Sequence, residues 1–255
     1  MPEKRQNDAD DSTKLPRLQV ALAERGAASR RGAADIIAAG RVSVNGEIVR
    51  EPGARVDPAR DRIAIDGRLL PAARETKRTI LLYKPAGLVC SADSSQGATV
   101  CDLFSDFPER LVPVGRLDKE SEGLLLLSND GRLIEWLTHP SHGHSKRYEV
   151  EVVGGVDERT LASLRAPIEI DGRETRPATV EVLRRGRAKN GAPLFLLSFT
   201  LGEGRNRQIR RLCERAGVRV ARLTRVEFCG LTLERLRPGQ WRELSASEIA
   251  RLLNA

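Results

Sequence analysis

The stretch VPVGRLDKESEGLLLLS, residues 112–128, sets out the organisation of this chain in miniature. Apolar residues alternate up to Gly115, a tight Arg116-Leu117-Asp118 segment follows, and a second apolar run begins at Gly123. Short apolar runs bounded by glycine read as strand, turn and strand, which puts Asp118 at the rim of a sheet. Its carboxylate reads in two ways at this point: a loop aspartate that caps a turn or pairs with Arg116, or a poised base or nucleophile.

The same pattern continues on both sides. Strands are expected at TILLY (79–83), GLLLLS (123–128), YEVEVV (148–153), TVEVL (179–183) and FLLSFTL (195–201), with helices near 131–138, 157–165 and 206–216. A last helix opens on Ser245 and Glu248 as a capping box and turns Ile249, Leu252 and Leu253 inward. Strands that mostly lack crossover helices imply an α+β fold with a mixed, largely antiparallel sheet. Ahead of it, RLQVALAERG (17–26) and a second helical stretch between Ser29, its N-cap, and Gly40, its terminator, precede hairpin signals at Asn45-Gly46 and Asp66-Gly67. The expected domains are a disordered tail at 1–14, a small α+β module at 15–72, a linker at 73–78 and the main domain at 79–255.

Of the 255 residues, 40% are hydrophobic and 31% charged, too apolar for a disordered chain. No apolar run approaches the ~20 residues that a membrane span needs, and the polar start MPEKRQNDADDSTK resembles no secretory signal, so the expectation is a cytoplasmic protein without membrane attachment. The cysteines at 90, 101, 213 and 229 show no C-x-x-C spacing and read as reduced packing residues. A net charge of +8 points to a polyanionic partner. Residues 151–255 hold +7 of it, concentrated in Glu203–Arg225, where eight arginines face two glutamates.

On a helix, Ile209, Leu212, Cys213 and Ala216 of that stretch form one apolar stripe, with Arg207, Arg210, Arg211 and Arg215 around it. Gly202 and Gly204 lead into its N-terminus, an arrangement that suits either phosphate or plain solvent. Tyr148 shares a strand face with Val150 and Val152 and is either a core tyrosine or a stacking platform for an extruded base. The histidines at 139, 142 and 144 make a poor metal set, because Pro140 interrupts their helix, and no metal is expected. LYKPAGLV (82–89) reads as a strand followed by a turn.

Together, KPAG (84–87), GRLDKESEGLLLLSNDG (115–131), KRY (146–148) and EGRNRQIRRLCERAG (203–217) resemble the successive signatures of the bacterial ribosomal RNA pseudouridine synthases. Residues 15–72 resemble the small S-four RNA-binding module that precedes many of them. The resemblance implies uridine isomerisation in ribosomal RNA without a cofactor, with Asp118 as the essential aspartate, Tyr148 as the active-site tyrosine and Arg210 as the partner of Asp118. It implies RNA contacts through Arg17, Ser29, Arg30, Arg31, Arg41, Asn45 and Gly46 of the module. In the main domain it implies them through Lys84, Arg116, Arg205, Asn206, Arg207, Gln208 and Arg211. Ser121 and Ser128 stand where the family commonly has threonine. The expected partner is ribosomal RNA, with the large subunit preferred over the small, or a pre-ribosomal particle, and the expected state is a monomer. Two other classes stand beside this one: a non-catalytic ribosome-assembly factor, and a glycosidase pairing Asp118 with Glu122 at a separation of about 5 to 9.5 Å.

Overall fold

Ser29 shows how closely local chemistry sets the first elements: its hydroxyl accepts a hydrogen bond from the Gly32 amide and so caps a helix. The computed structural model describes residues 15–71, 76–91 and 97–254; the expected tail at 1–14, the last residue of the expected module at 72 and residues 73–75 of the expected linker lie outside them. Helices α1 (Leu18–Glu24) and α2 (Arg30–Ala38) are each followed by a glycine at φ +72°, Gly26 and Gly40. Strands β1 (Val42–Val44), β2 (Glu47–Val49), β3 (Ile63–Ile65) and β4 (Arg68–Leu69) form an antiparallel sheet in the order β2-β1-β3-β4. Both of its hairpins turn on residue pairs at positive φ, Asn45 (53°) with Gly46 (94°) and Asp66 (49°) with Gly67 (75°), as a primed two-residue turn requires. Leu18, Leu22, Ile37, Val42 and Ile63 are fully buried and form the core of this first unit.

Contacts separate it from a second unit that begins at Arg78. There the chain runs through β5 (Thr79–Lys84), β6 (Val112–Val114), β7 (Glu122–Ser128), α3 (Gly131–Thr138), β8 (Lys146–Val153) and α4 (Glu158–Arg165). It continues through β9 (Glu169–Ile170), β10 (Arg173–Glu174), β11 (Thr179–Arg187), β12 (Pro193–Leu201) and α5 (Gln208–Arg215). The last elements are β13 (Arg219–Phe228), β14 (Leu231–Thr232), β15 (Trp241–Glu243) and α6 (Ala246–Leu253). The main sheet is ordered β11-β12-β8-β13-β7-β5-β15, with β14 on β13 and β6 on β7. It is mixed because β13 runs parallel to β7, whereas its other pairs are antiparallel.

Alternation along β7 divides the hydrophobic interior. Leu125 and Leu127 join Val150, Leu197 and Phe199 under α4 and α5, while Leu124 and Leu126 join the core that includes Leu133 and Leu137 of α3 and Leu252 of α6. Burial pushes the thiol of the enclosed Cys213 up to about 12 and that of the partly buried Cys229 to about 11.

Two features depart from the sequence reading. Strand β13 is ten residues long, yet RVARLTRVEF carries arginine at 219, 222 and 225, and that spacing masks a strand whose middle residues Leu223, Thr224 and Arg225 are buried. In α6, Leu252 is buried and Ile249 packs against the core, but Leu253 faces outward and is 45% exposed. Positions 249, 252 and 253 have the i, i+3, i+4 spacing of one helix face, so the helical period alone does not set Leu253 outside.

The capping box at α6 is reciprocal, and Arg242 Nη2 closes on Glu248 Oε1 at 2.7 Å. Hydrogen bonding from Arg242, helped by Ser245, holds the Glu248 carboxyl at about 2 against an ordinary 4.5. Between those values the unfolded chain binds the extra proton, so this contribution is complete above pH 4.5 and is lost as the pH falls toward 2. The difference in melting temperature between the wild type and Glu248→Gln should therefore close over that interval; a pH-independent difference would contradict the assignment.

Candidate active site

Strand β5 ends on a lysine that never reaches solvent. Lys84 is fully buried, and its Nζ lies within hydrogen-bonding distance of four carbonyls, those of Ser121 (2.8 Å), Pro85 (3.0 Å), Asp118 (3.3 Å) and Lys119 (3.4 Å). An ammonium group donates at most three hydrogen bonds, so the four oxygens share it and the 118–121 loop is drawn around one point. Burial pushes Lys84 below the ordinary lysine range. On the far side of the loop, Gly123 lets β7 press against β13: a Cβ there would lie 2.3 Å from the Arg225 carbonyl oxygen, and its φ of +109° suits only glycine.

The loop so held offers Asp118 to two guanidinium groups. Asp118 Oδ2 lies 3.7 Å from Arg207 Nη1 and 3.8 Å from Arg210 Nε, ion contacts somewhat longer than hydrogen bonds. Arg210 Nη2 also donates to Ser121 Oγ at 3.2 Å. Arg207 is the N-cap of α5 at φ +50°, a left-handed conformation that costs an arginine about 1 kcal/mol, and its Nη1 reaches Glu120 Oε2 at 3.1 Å as well. Asp118, Ser121, Tyr148, Arg207 and Arg210 line a cavity of about 100 Å³, floored by apolar side chains such as Leu201 and Leu223. A second cleft, of about 490 Å³, shares Arg116, Tyr148, Gly204 and Arg205 with it. Six cationic residues line the larger cleft against Glu174 and Glu203.

The structure thus brings Asp118, Tyr148 and Arg210 together, with Arg116, Arg205 and Arg207 around them. Asn206 and Arg211 lie alongside, bonded to each other at 3.0 Å. Two residues expected to face RNA do not. Lys84 is spent on the loop carbonyls. Gln208 is 3% exposed and works inside its own turn, accepting from the Arg205 amide and donating to Glu203 Oε1. In the first unit Arg17, Arg30, Arg31, Asn45 and Gly46 are exposed and Ser29 is committed as a cap. There Arg41 pairs with Asp66, and Asn45 donates to Asp61 Oδ1 at 2.9 Å. Arg215, a flanking arginine of the helix, donates instead to the carbonyls of Ser163, Ala166 and Pro167 at the end of α4. Glu122 is bound by Arg222 at 2.9 Å and does not line the cavity, so no carboxylate pair is formed with Asp118.

Sequence reasoning missed Lys146 and Arg225 as cleft residues. The position of Lys146, two residues before Tyr148 on one strand face, was a usable signal; Arg225 was hidden because β13 was not expected.

The RNA pseudouridylate synthase family matches residues 78–215, the stretch containing the whole Asp118 cavity except Leu223, and the S4 domain matches residues 16–63. The chain belongs to the RNA pseudouridylate synthase family. It is an isomerase that binds RNA, with an S4 domain ahead of its catalytic domain. An uncharacterized RNA pseudouridine synthase of Aquifex aeolicus (strain VF5) is 39% identical, over 94% of both chains. The ribosomal large subunit pseudouridine synthase B of Bacillus subtilis (strain 168) is 38% identical, over 93% of this chain and 96% of the relative. A crystal structure of a pseudouridylate synthase superposes with a TM-score of 0.64 at 31% identity, covering 92% of this chain and 99% of that one. No helix among the described residues is long and apolar enough to cross a membrane.

Replacing Lys84 by methionine would strand the loop carbonyls without their shared donor. Lys84→Met should cost about 3 kcal/mol and raise amide hydrogen exchange across 115–121 while leaving exchange in β1–β4 unchanged. Unchanged exchange in the 115–121 loop would show that the lysine does not hold it.

Proposed function

We propose that this synthase converts a uridine of large-subunit ribosomal RNA to pseudouridine, with Asp118 acting on the ribose, Arg210 orienting it and Tyr148 stacking on the extruded base. The observation that carries this reading is the placement of Asp118, with two arginines on one carboxylate oxygen, in a small cavity that Tyr148 also lines. Support for the substrate comes from relatives named ribosomal large subunit pseudouridine synthase B, in Bacillus subtilis, Pasteurella multocida and Shigella flexneri.

The reaction breaks the bond from ribose C1′ to uracil N1, turns the base and joins C1′ to C5; the C5 proton is lost and N1 regains one. No atom is added, so the protein has to supply a group at the sugar, a surface for the turning base and a path for one proton. Both guanidinium contacts fall on Oδ2, at 3.7 and 3.8 Å, and orient the carboxylate without a short hydrogen bond that would tie it up. From there the carboxylate either attacks C1′ or removes a ribose proton to give a glycal. Tyr148 is 8% exposed and is held by the core behind it, so it meets a base without paying to order a flexible side chain. Apolar Leu117, Leu201, Ile209 and Leu223 line the cavity beside the pair, while the Asp118 side chain stays 32% exposed and open to a substrate.

Arg116, Arg205, Asn206 and Arg211 serve delivery, meeting the RNA backbone beside the cavity. Arg207, expected to belong with them, touches Asp118 and so shares in the chemistry as well. The S4 domain adds Arg17, Arg30, Arg31 and Arg41 and the Asn45-Gly46 hairpin for structured RNA. The same reading makes the enzyme a cytoplasmic monomer that acts on ribosomal RNA or a pre-ribosomal particle.

Release of tritium from 5-tritiated uridine in a large-subunit RNA transcript tests the proposal. Asp118→Asn should lower turnover by about 10³-fold or more while still binding the transcript. Arg210→Gln should chiefly lower turnover, whereas Arg211→Gln should weaken binding and reduce its salt dependence. Full activity in Asp118→Asn, or indistinguishable effects of the two arginine changes, would overturn the assignments.

A further inference from the structure

Of the six cationic residues of the larger cleft, Lys146 and Arg225 stand on the strands beside Tyr148 and have no part in the proposed chemistry. On neighbouring strands β8 and β13, Tyr148 stands opposite Arg225 and Lys146 opposite Phe228. Lys146 Nζ and Arg225 Cζ lie 5.5 and 5.2 Å from the centre of the same Phe228 ring, so the two positive groups crowd one aromatic side chain. Lys146 Nζ donates to the His144 carbonyl at 2.7 Å, and Arg225 Nε to the Leu124 carbonyl at 2.7 Å. These partners are neutral. Arg225 is 3% exposed, and its buried Nη2 has no hydrogen-bond partner.

Burial, and then the charge of Arg225, push Lys146 below the ordinary lysine range. A buried and a half-buried cation about one ring are costly, with Glu203 offsetting the charge of Lys146 only in part, and an anion placed between them lowers that cost. Glu203, a carboxylate of the same cleft, is already engaged by Arg205, Gln208 and the Arg176 amide.

We infer that Lys146 and Arg225 form a phosphate subsite that holds the phosphodiester adjoining the target uridine. The inference rests on the uridine site proposed at Tyr148. Lys146 lies two residues from Tyr148 on the same strand face, about 7 Å along the strand, and the cleft it lines adjoins the Asp118 cavity, the two sharing Arg116, Tyr148, Gly204 and Arg205. A chain whose base enters the small cavity carries its neighbouring phosphate past Lys146. The subsite acts by fixing the backbone as the base turns over, and it adds a charge-assisted contact that carries no sequence information.

Filter binding of a large-subunit RNA transcript across a salt series tests the subsite without requiring turnover. If wild-type protein binds but forms no pseudouridine, the functional proposal falls and the binding comparison still stands. Lys146→Gln should weaken binding about tenfold and reduce the slope of log affinity against log salt by about 0.7 to 0.9, with Lys146→Arg restoring both. Inorganic phosphate should compete with RNA less well in Lys146→Gln than in the wild type. Arg225→Lys, with its melting temperature measured alongside, should weaken binding in the same direction. Wild-type affinity, slope and phosphate competition in Lys146→Gln would overturn the subsite, as would failure of Lys146→Arg to restore binding in a folded protein.

Discussion

A fully buried ammonium group gives the active site its shape. Lys84 sits at the end of β5, and the 118–121 loop folds over it because three of its carbonyl oxygens, together with that of Pro85, converge on the one charge. A loop left to water at this position would sample many conformations, and its carboxylate would share that freedom. Tethered by main-chain oxygens rather than side chains, it holds Asp118 in place through the backbone, and the side chain stays available. The sheet below makes the arrangement rigid: β7 leaves the loop through Gly123, in close backbone contact with Arg225 of β13. The strand that Gly123 abuts is the one whose Arg225 stands opposite Tyr148, so Tyr148 and the loop that carries Asp118 are both positioned against β13.

Charge in this protein is divided by task. The +8 of the whole chain is not spread evenly, and the cluster on and after α5 serves several ends. Arg210 and Arg207 turn inward to Asp118, Arg215 ties α5 to the end of α4, and Arg222 neutralises Glu122. What remains for RNA is a smaller set than the raw count suggests. The left-handed backbone at Arg207 fits this division, since strain of that kind persists where surrounding structure holds it and is found where geometry matters for function.

Much of this was legible in the sequence. Glycines at 26 and 40 and the Asn45-Gly46 and Asp66-Gly67 pairs announced the first unit because each marks a positive φ that few residues accept. The loop around Asp118 was readable because it is bounded by apolar strands, and the stripe of α5 because its period is helical. What escaped was decided by tertiary contact. Strand β13 looks polar because three arginines interrupt it, and only the fold shows that Arg225 is buried. Lys84 and Gln208 have the composition of RNA-binding residues and lie in motifs rich in them, yet both are enclosed. A sequence gives the charge of a lysine and not the carbonyls that surround it. Leu253 shares a helix face with Ile249 and Leu252 by spacing, and only tertiary contact decides that it stays exposed.

The central claim is that the aspartate so presented isomerises a uridine of large-subunit ribosomal RNA. Mapping pseudouridines in both ribosomal RNAs of the source organism, with and without the gene, tests it most directly. The account predicts the loss of pseudouridine at a defined position in the large-subunit RNA, restored by the wild-type gene and not by one encoding Asp118→Asn. Unchanged maps in both RNAs, or restoration by the asparagine form, would contradict it.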